Sequence, residues 1–330
     1  MKVCIIGCRG HHGYVTAGMP LRPEARLTAV SAGTPEDTPE TLLAAAELTG
    51  ASPVVYDDYR VMLDKEAPDV ACIAGPFEDR ARMCIDAFQR GIHVFAEKPV
   101  AISEAQLTAL ETAHAASGVH FAAMMGLRYS PAIYTAWKAV QAGAVGEINL
   151  ITAQKSYKLG KRPDYYCRRE TYGGTIPWVG SHAIDWILWF SGRDFGSVTA
   201  TQTRRHNNGL GSLEMAALCQ FTLDDGALAS ASIDYHHPAN AATHGDDRLR
   251  VAGALGVIEV RGDNIHYKGS ADAPPPPECP RQIFADFLDH ISGRASALIT
   301  PAETFAVARA CLLAQRSADT EATLSFFEKA

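Results

Sequence analysis

Two polar residues interrupt an apolar stretch, TIPWVGSHAIDWILWF, over residues 175–190. The apolar residues predict a buried helix over residues 180–191, on which His182 and Asp185 share one face. A buried imidazole and carboxylate must meet each other, a backbone group or a ligand. A satisfied core pair is the alternative to a catalytic His182. Within the first turn, the helix dipole would favour a neutral ring that can accept a hydroxyl proton.

A lysine follows another strand-like run, in FAEKPVA, where Glu97 and Lys98 precede a proline. Ligands of open α/β sheets bind at the carboxyl ends of the strands. A lysine there can hold a substrate hydroxyl and exchange its proton, above all if burial lowers its pKa. The alternative is an exposed Lys-Pro turn.

A glycine-rich turn follows the first strand-like run, in VCIIGCRGHHGY. The G-x-x-G-x-x-G spacing allows a tight turn and close approach to a pyrophosphate at a helix N-terminus. A glycine turn without a ligand is the alternative. The predicted contacts are Gly7, Arg9, Gly10, His11, His12 and Gly13.

The choice of nucleotide stays open at the second strand, which ends in AVSAGTPED. An acid at this point normally binds the adenosine ribose, but the chain has Ser31, Gly33 and Thr34 and no acid until Glu36. No arginine follows that could bind a 2′-phosphate. We therefore expect NAD or NADP.

The surrounding elements define an α/β fold in two parts. Short apolar runs alternate with helices up to residue 124, which predicts a doubly wound parallel sheet, a Rossmann domain. Ser103 and Gln106 form a capping box for one of these helices. Residues 125–330 are richer in strands, with an Asp-Gly hairpin in TLDDGALA, and predict a large, mainly antiparallel sheet with helices. APPPPECP predicts a loop, with a proline-binding ligand as the weaker alternative.

Composition excludes several functional classes. The 330 residues exceed what one core usually holds, and the net charge of −7 argues against nucleic acid or an anionic membrane as a partner. No apolar run reaches the ~20 residues of a membrane span, and the N-terminus does not resemble a signal peptide. The eight cysteines form no C-x-x-C pair, and His236, His237 and His244 fit no metal template. We expect a cytoplasmic protein without a metal.

Together these segments resemble the glucose–fructose oxidoreductase/inositol dehydrogenase (Gfo/Idh/MocA) family. The resemblance rests on the glycine turn, YDDYRVML before PDVACIAGP, QRGIHVFAEKPVA, GLRYSPAI, AGAVGEI, YGGTIPWVGSHAIDWILWFSG and the tail around ITPAETFAVARACLLAQRSA, in family order. It implies a Rossmann domain followed by a substrate-binding and oligomerisation domain. It also implies a homo-oligomer, a dimer or tetramer, because the second sheet often forms the interface.

The resemblance assigns roles to particular residues. Lys98 matches the lysine that contacts substrate and cofactor, His182 the catalytic histidine, and Asp185 an acid that supports the histidine or touches the substrate. Tyr129 is placed near the substrate pocket, and the neighbouring Arg128 is expected to be structural. The cofactor contacts implied in addition are Gly75, Pro76 and Glu97.

The chain departs from the family pattern at Trp178, where the family commonly has an acid four residues before the histidine. The tryptophan either packs in the core or forms a stacking wall for a sugar ring. AGPFEDR also replaces the usual T-P-N-x-x-H after the fourth strand. Further candidates for gripping a polyhydroxylated or anionic substrate, each with a solvated loop as the alternative, are Lys155, Tyr157, Tyr165, Tyr166, Arg168 and Arg169.

The sequence predicts an NAD(P)-dependent oxidoreductase that acts on CH–OH groups of a sugar, cyclitol or related hydroxy or keto compound. His182 would be the general base or acid, Lys98 would orient the oxygen, and Asp185 would support them. Two alternatives stay open: a glycosidase with an NAD-dependent redox mechanism, and a non-catalytic nucleotide-binding regulatory or scaffold protein. The exact substrate, the reaction direction and the oligomer size stay open as well.

Overall fold

The computed structural model describes residues 1–34, 37–47 and 49–327, so Glu36 lies outside the described residues. The chain divides into two compact units. The first comprises residues 1–126 and 281–305, and the second comprises residues 127–280 and 306–330. The division at residue 124 stays a prediction, and the sequence pattern did not indicate that residues 281–305 group with the first unit.

The first unit contains a six-stranded parallel sheet in the order β3-β2-β1-β4-β5-β6, the order of a Rossmann fold. Its strands are β1 (Lys2–Ile6), β2 (Arg26–Ser31), β3 (Val54–Tyr56), β4 (Val70–Ile73), β5 (His93–Ala96) and β6 (Phe121–Ala123). The helices among them are α1 (Gly13–Gly18), α2 (Glu40–Glu47), α3 (Tyr59–Glu66), α4 (Phe77–Phe88) and α5 (Glu104–Ser117), with a 3₁₀ turn at Met19–Leu21. The predicted parallel sheet is confirmed.

Most residues of β1 and β4 are buried, as expected for central strands of a parallel sheet. All four residues of β4 are buried, as are the last four of β1, because a parallel sheet is covered on both faces. The predicted cap of α5 is also present: the Ser103 Oγ accepts a hydrogen bond from the Gln106 N–H at 3.2 Å. The Gln106 side chain accepts from Ile102 N at 2.9 Å, one residue earlier than a capping box requires.

The second unit contains an eight-stranded sheet in the order β13-β12-β11-β7-β10-β9-β8-β14, antiparallel except for the β7–β10 pair. Its strands are β7 (Ile148–Tyr157), β8 (Phe195–Thr203), β9 (Ala216–Leu223), β10 (Leu228–Asp234), β11 (Gly245–Gly253), β12 (Gly256–Arg261), β13 (Asn264–Gly269) and β14 (Leu324–Ser325). Its helical segments are a 3₁₀ turn (Gly126–Tyr129), α6 (Pro131–Gln141), a second 3₁₀ turn (Asp164–Cys167), α7 (Arg169–Tyr172), a π-helix (Ile176–Gly180) and α8 (Ser181–Ser191). Two further helices follow in the chain, α9 (Ile283–Ile291) and α10 (Pro301–Thr320).

One face of this sheet is covered, and α8 packs on β7, β10 and β11. The residues of β9 alternate between buried and exposed, as expected for a sheet with one solvated face. The predicted hairpin is present, since β9 and β10 pair and Leu223 N donates to Ala227 O at 2.8 Å. The mainly antiparallel second sheet is therefore confirmed. No helix in the described ranges is long and apolar enough to cross a membrane.

A cluster of histidines lies in the first unit. The His120 ring centroid is 4.0 Å from that of His290 and 5.1 Å from that of Phe287. The buried His120 Nε2 has no hydrogen-bond partner among the described residues, and the His120 N–H donates to His93 Nδ1 at 2.8 Å. Burial, and then the nearby His290, His93 and His114, lower the pKa of His120 from 6.5 to about 3.

This cluster predicts acid sensitivity of the fold. Because the pKa of His120 is lower in the folded than in the unfolded chain, its contribution is present above pH 6.5 and is lost as the pH falls toward about 3. At pH 5 the loss is about 2 kcal/mol relative to pH 7.5. His120→Phe should flatten this dependence in urea unfolding at the two pH values. The exposed His266→Gln should leave it unchanged; equal slopes for His120→Phe and the unmodified protein would contradict the assignment.

Candidate functional site

The glycine turn of the first unit requires two of its glycines. Gly7 has a φ of +84°, and a Cβ there would collide with the Gly75 backbone after β4. Gly10 has a φ of +121°, and its Cβ would lie 2.5 Å from the Glu97 side chain. A Cβ on Gly13, by contrast, would meet no described atom within 4 Å, which leaves open space in front of the turn.

Glu97 links the glycine turn to the segment after β5. Its buried carboxylate accepts from the His11 backbone N–H at 3.1 Å, from the His11 ring and from the Lys98 N–H at 2.6 Å. Burial alone would raise the pKa of Glu97, but His11, and then Lys98 and Arg80, outweigh it and lower the pKa from 4.5 to about 2. Glu97 is therefore an anion that organises the turn.

Arg80 is a positioning residue that the sequence pattern did not reveal. This fully buried side chain of α4 donates to Pro99 O at 2.9 Å and to Gly75 O at 2.8 Å. It thus ties together the segments that follow β4 and β5. Between them, Lys98 is held with 1% of its surface exposed, so the alternative of an exposed Lys-Pro turn is excluded.

The last residue of β2 and the segment that follows it lie beside the glycine turn. Ser31 O accepts from Gly7 N at 2.8 Å, and Thr34 Oγ1 accepts from the Asp37 N–H at 3.2 Å. Asp37 brings an acid to this end of the sheet, where its carboxylate lies 2.7 Å from the Arg9 guanidinium. This acid is thus already paired with a cation beside the glycine turn.

The turn has features that fit a dinucleotide. The buried His12 Nδ1 has no hydrogen-bond partner among the residues described, and burial, followed by the charge of His11, lowers the pKa of His12. A polar ring nitrogen and the open space at Gly13 therefore lie together at the end of β1. Phosphate oxygens of a bound dinucleotide would fill this space and supply partners.

In the second unit, Asp185 is held by Arg128. Both side chains are buried, and the guanidinium donates to the carboxylate at 2.6 Å through Nη2 and at 3.1 Å through Nε. The guanidinium also lies 5.0 Å from the Trp189 ring centroid. This geometry agrees with the structural role expected for Arg128, and it favours support over substrate contact for Asp185.

The helix that carries His182 begins earlier than the sequence indicated. The π-helix at Ile176–Gly180 runs directly into α8, so His182 is the second residue of α8 but not at a free helix N-terminus. Because the preceding π-helix continues into α8, the helix dipole acts on His182 less directly than at a free helix end, and the neutral ring stays a prediction. His182 itself is 2% exposed.

Trp178 lies in the π-helix against a cluster of tyrosines. Its ring packs edge-on against Tyr166 at 6.4 Å between centroids, and both residues are buried. The Arg162 guanidinium lies 5.1 Å from the Tyr166 ring centroid and 4.7 Å from the Tyr235 ring centroid. The sequence pattern did not indicate either of these contacts. A solvated loop is therefore excluded for Tyr166.

The remaining predicted residues have different surroundings. Arg168 is exposed, whereas Tyr129 and Tyr157 are half-buried, and Arg169 pairs with the buried Glu214 at 2.5 Å. No group of three or more potential ligands among the described residues could hold a metal ion. The structure thus gathers the predicted residues into two sets: the cofactor candidates with Lys98 in the first unit, and the aromatic and His182 candidates in the second.

Comparison with known proteins identifies two matching family descriptions. Residues 1–124 match the "oxidoreductase family, NAD-binding Rossmann fold", and residues 133–259 match the "GFO/IDH/MocA C-terminal domain". The predicted cofactor class is confirmed by the first match, which does not separate NAD from NADP.

Individual proteins similar to this chain are consistent with these two family descriptions. A Thermotoga maritima structure solved as a candidate oxidoreductase is 42% identical, with a TM-score of 0.95 over 99% of this chain and 100% of that one. The D-apiose dehydrogenase of Paraburkholderia graminis is 25% identical over 72% of this chain and 64% of its own length. Glycosyl hydrolase family 109 protein 2 of Akkermansia muciniphila is 27% identical over 36% of this chain and 28% of its own length. The chain therefore spans less than two thirds of either curated relative.

The Arg128–Asp185 pair predicts a large loss of stability when it is broken. Arg128→Met should lower the free energy of unfolding by about 3–5 kcal/mol, because it leaves a buried carboxylate without its guanidinium. Arg128→Met/Asp185→Leu should regain at least half of this loss, measured by urea unfolding. Arg248→Met, which breaks the exposed pair with Asp246, should cost less than about 1 kcal/mol. A similarly small cost for Arg128→Met would show that the pair is not structural.

Proposed function

The chain belongs to the GFO/IDH/MocA family of NAD-binding oxidoreductases, and from this premise we propose that it moves a hydride between a nicotinamide cofactor and a sugar. The substrate would be a sugar, cyclitol or related hydroxy or keto compound that reacts at a CH–OH carbon. One observation carries the proposal: Lys98 is buried at the carboxyl end of β5 in a Rossmann sheet and follows an ionised, buried Glu97. In an open α/β sheet, that edge is where ligands bind.

The cofactor would be held by the glycine turn and the segment after β2, through Gly7, Gly13, Ser31 and Thr34, with His12 as a donor to phosphate. When bound, NAD or NADP accepts or supplies the hydride at nicotinamide C4. Arg9 and Asp37, which pair with each other near the end of β2, would lie on the ribose side of the cofactor.

Lys98 would orient and polarise the substrate oxygen. The contacts of Arg80 with Gly75 and Pro99 limit the movement of the segment that carries the lysine. A fixed ammonium stabilises negative charge as it develops on the oxygen, without first having to reorganise.

His182 would take the hydroxyl proton during oxidation and return it during reduction. Asp185, held by Arg128, would position the helix face that carries His182. Since Trp178 stands where the family commonly has an acid, proton transfer would depend on the histidine alone. The tryptophan would offer an apolar surface to a sugar ring.

The sugar class of substrate is supported by the similarity to a D-apiose dehydrogenase. The similarity to a glycosyl hydrolase family 109 protein keeps a second candidate, a glycosidase with transient oxidation of the sugar. That enzyme would release the aglycone of an aryl glycoside without a net change in cofactor absorbance. A hydride-transfer enzyme would show net formation of reduced cofactor. A non-catalytic scaffold would bind the cofactor and do neither.

The protein would act as a homo-oligomer in the cytoplasm. The solvated face of the second sheet exposes Leu150, Leu218 and Leu228, with exposures of 39–58%. A second copy would cover these residues, since apolar side chains grouped on one face favour association. Six of the cysteines are free thiols, which suits a reducing compartment; they are Cys4, Cys8, Cys72, Cys84, Cys167 and Cys219.

The first test of function measures reduced cofactor by absorbance with D-apiose, D-glucose and myo-inositol. Lys98→Met and His182→Ala should each lower kcat by about 100- to 10,000-fold, because the first removes the ammonium that polarises the substrate oxygen and the second removes the group that transfers the proton. The exposed Lys161→Met should retain full activity. Fluorescence titration with NADH and thermal unfolding would show that the variants still bind cofactor and fold. Unchanged turnover in Lys98→Met/His182→Ala would disprove the assignment.

A second test addresses assembly. Leu218→Glu should shift the oligomer to monomer in light scattering after size-exclusion chromatography, because it places a charge on the solvated face of the sheet. Leu21→Glu, at a similarly exposed leucine of the first unit, should leave the mass unchanged. An unmodified protein that is already monomeric would contradict the proposal.

A further inference from the structure

The loop between β8 and β9 contains two residues other than glycine in the left-handed region of backbone conformation. His206 has a φ of +63° and Asn208 a φ of +55°, and Gly209 follows with a φ of +78°. Asparagine tolerates this conformation because its short polar side chain can hydrogen-bond locally. Residues 208–209 are also the one Asn-Gly pair in the sequence, so the loop is built on a dipeptide that occurs nowhere else in the chain.

Two adjacent carboxamides in this loop have different surroundings. The Asn207 Nδ2 donates to Gly211 O at 3.0 Å and to Leu213 O at 3.2 Å. The Asn207 Oδ1 accepts from the Gly209 N–H at 3.2 Å. Asn208 is exposed, and its side chain makes no hydrogen bond to a described residue. The first carboxamide is therefore held by the loop, whereas the second can move towards the backbone that follows it.

The peptide bond after Asn208 lies in open space between fixed points. A Cβ at Gly209 would meet no described atom within 4 Å, so this peptide can rotate without a collision. Beyond it, Ser212 anchors the loop, since its N–H and its hydroxyl donate to Cys167 O at 2.9 and 3.1 Å. Freedom of movement is thus concentrated at the junction of Asn208 and Gly209.

We propose that Asn208 is a site of spontaneous covalent modification, at which the carboxamide becomes a carboxylate. The Gly209 amide nitrogen, unhindered because glycine has no Cβ, attacks Cγ of Asn208. The new C–N bond closes a cyclic imide, and the Cγ–Nδ2 bond breaks. The amide proton passes through water to Nδ2, which leaves as ammonia. A water molecule then opens the imide at either carbonyl and gives aspartate or isoaspartate, so water is the only co-reactant.

The modification places a negative charge among cations. Residues 204–213 include Arg204, Arg205 and His206 and no acid, although the chain as a whole has a net charge of −7. Both arginines are exposed, and the Arg205 Nε donates to His206 Nε2 at 3.1 Å. The aspartate form keeps the backbone length, whereas the isoaspartate form routes the chain through the side-chain carbon and lengthens it by an atom. Only the isoaspartate form should therefore displace the anchored part of the loop.

The test follows the intact chain by mass spectrometry during incubation in mildly alkaline buffer. The protein should gain about 1 Da as an amino group is exchanged for a hydroxyl. Peptide fragmentation should assign the gain to Asn208, and isoaspartyl methyltransferase should label the isoaspartate product. The modified chain should elute from an anion exchanger together with Asn208→Asp, because both carry the additional negative charge.

The chain supplies matched controls for this reaction. Asn207 has an engaged carboxamide, and Asn240 is exposed but precedes Ala241. Both should react at least about tenfold more slowly than Asn208, because one carboxamide is held and the other faces a nitrogen next to a Cβ. Gly209→Ala should slow the reaction at Asn208 by a similar factor. Asn208→Ser, a second variant that leaves Gly209 in place, should abolish the gain in mass from this loop.

Three results would overturn the assignment: an unchanged mass of the unmodified protein, equal rates at Asn208 and Asn240, or gains in mass from this loop that persist in Asn208→Ser. The reaction needs neither cofactor nor substrate and is measured without them. A failure of the proposed hydride transfer would therefore leave this inference intact, and the reverse also holds.

Discussion

Charged side chains removed from water must find partners within the protein, and this constraint organises both units. In the first unit, the Glu97 carboxylate is satisfied by the N–H groups and ring of the glycine turn and by the segment that contains Lys98. In the second, the Asp185 carboxylate is satisfied by Arg128. Each buried charge fixes the segments that supply its partners, because leaving it unpaired would cost several kcal/mol.

The two sheets meet this constraint in different ways. The parallel sheet brings the ends of β1, β4 and β5 to one edge, where backbone carbonyls and N–H groups serve as partners for Arg80 and Glu97. The antiparallel sheet pairs side chains across strands, as Lys155 and Asp247 show. Short loops therefore organise the cofactor candidates, and the strand register organises the Lys155–Asp247 pair.

The departure from the family pattern at Trp178 lies within an aromatic cluster of the second unit. Trp178 replaces an acid, and it packs with Tyr166 among aromatic rings and the Arg162 guanidinium. Trp186, on the same helix as His182, packs near the ammonium of Lys155 in β7, which lies 5.8 Å from the indole ring centroid.

The sequence by itself determined the features that depend on neighbours along the chain. Apolar runs and their breaks predicted both sheets, Ser103 predicted the start of α5, and the glycine spacing located the turn at Gly7 and Gly10, because strand alternation, capping and φ preferences are local properties. Only the tertiary structure decided that Arg80 bridges Gly75 and Pro99, that Arg128 engages Asp185, and that Lys155 meets Asp247. These partners lie up to 92 residues apart, so long-range packing and strand register select them, and no periodicity in the chain encodes them.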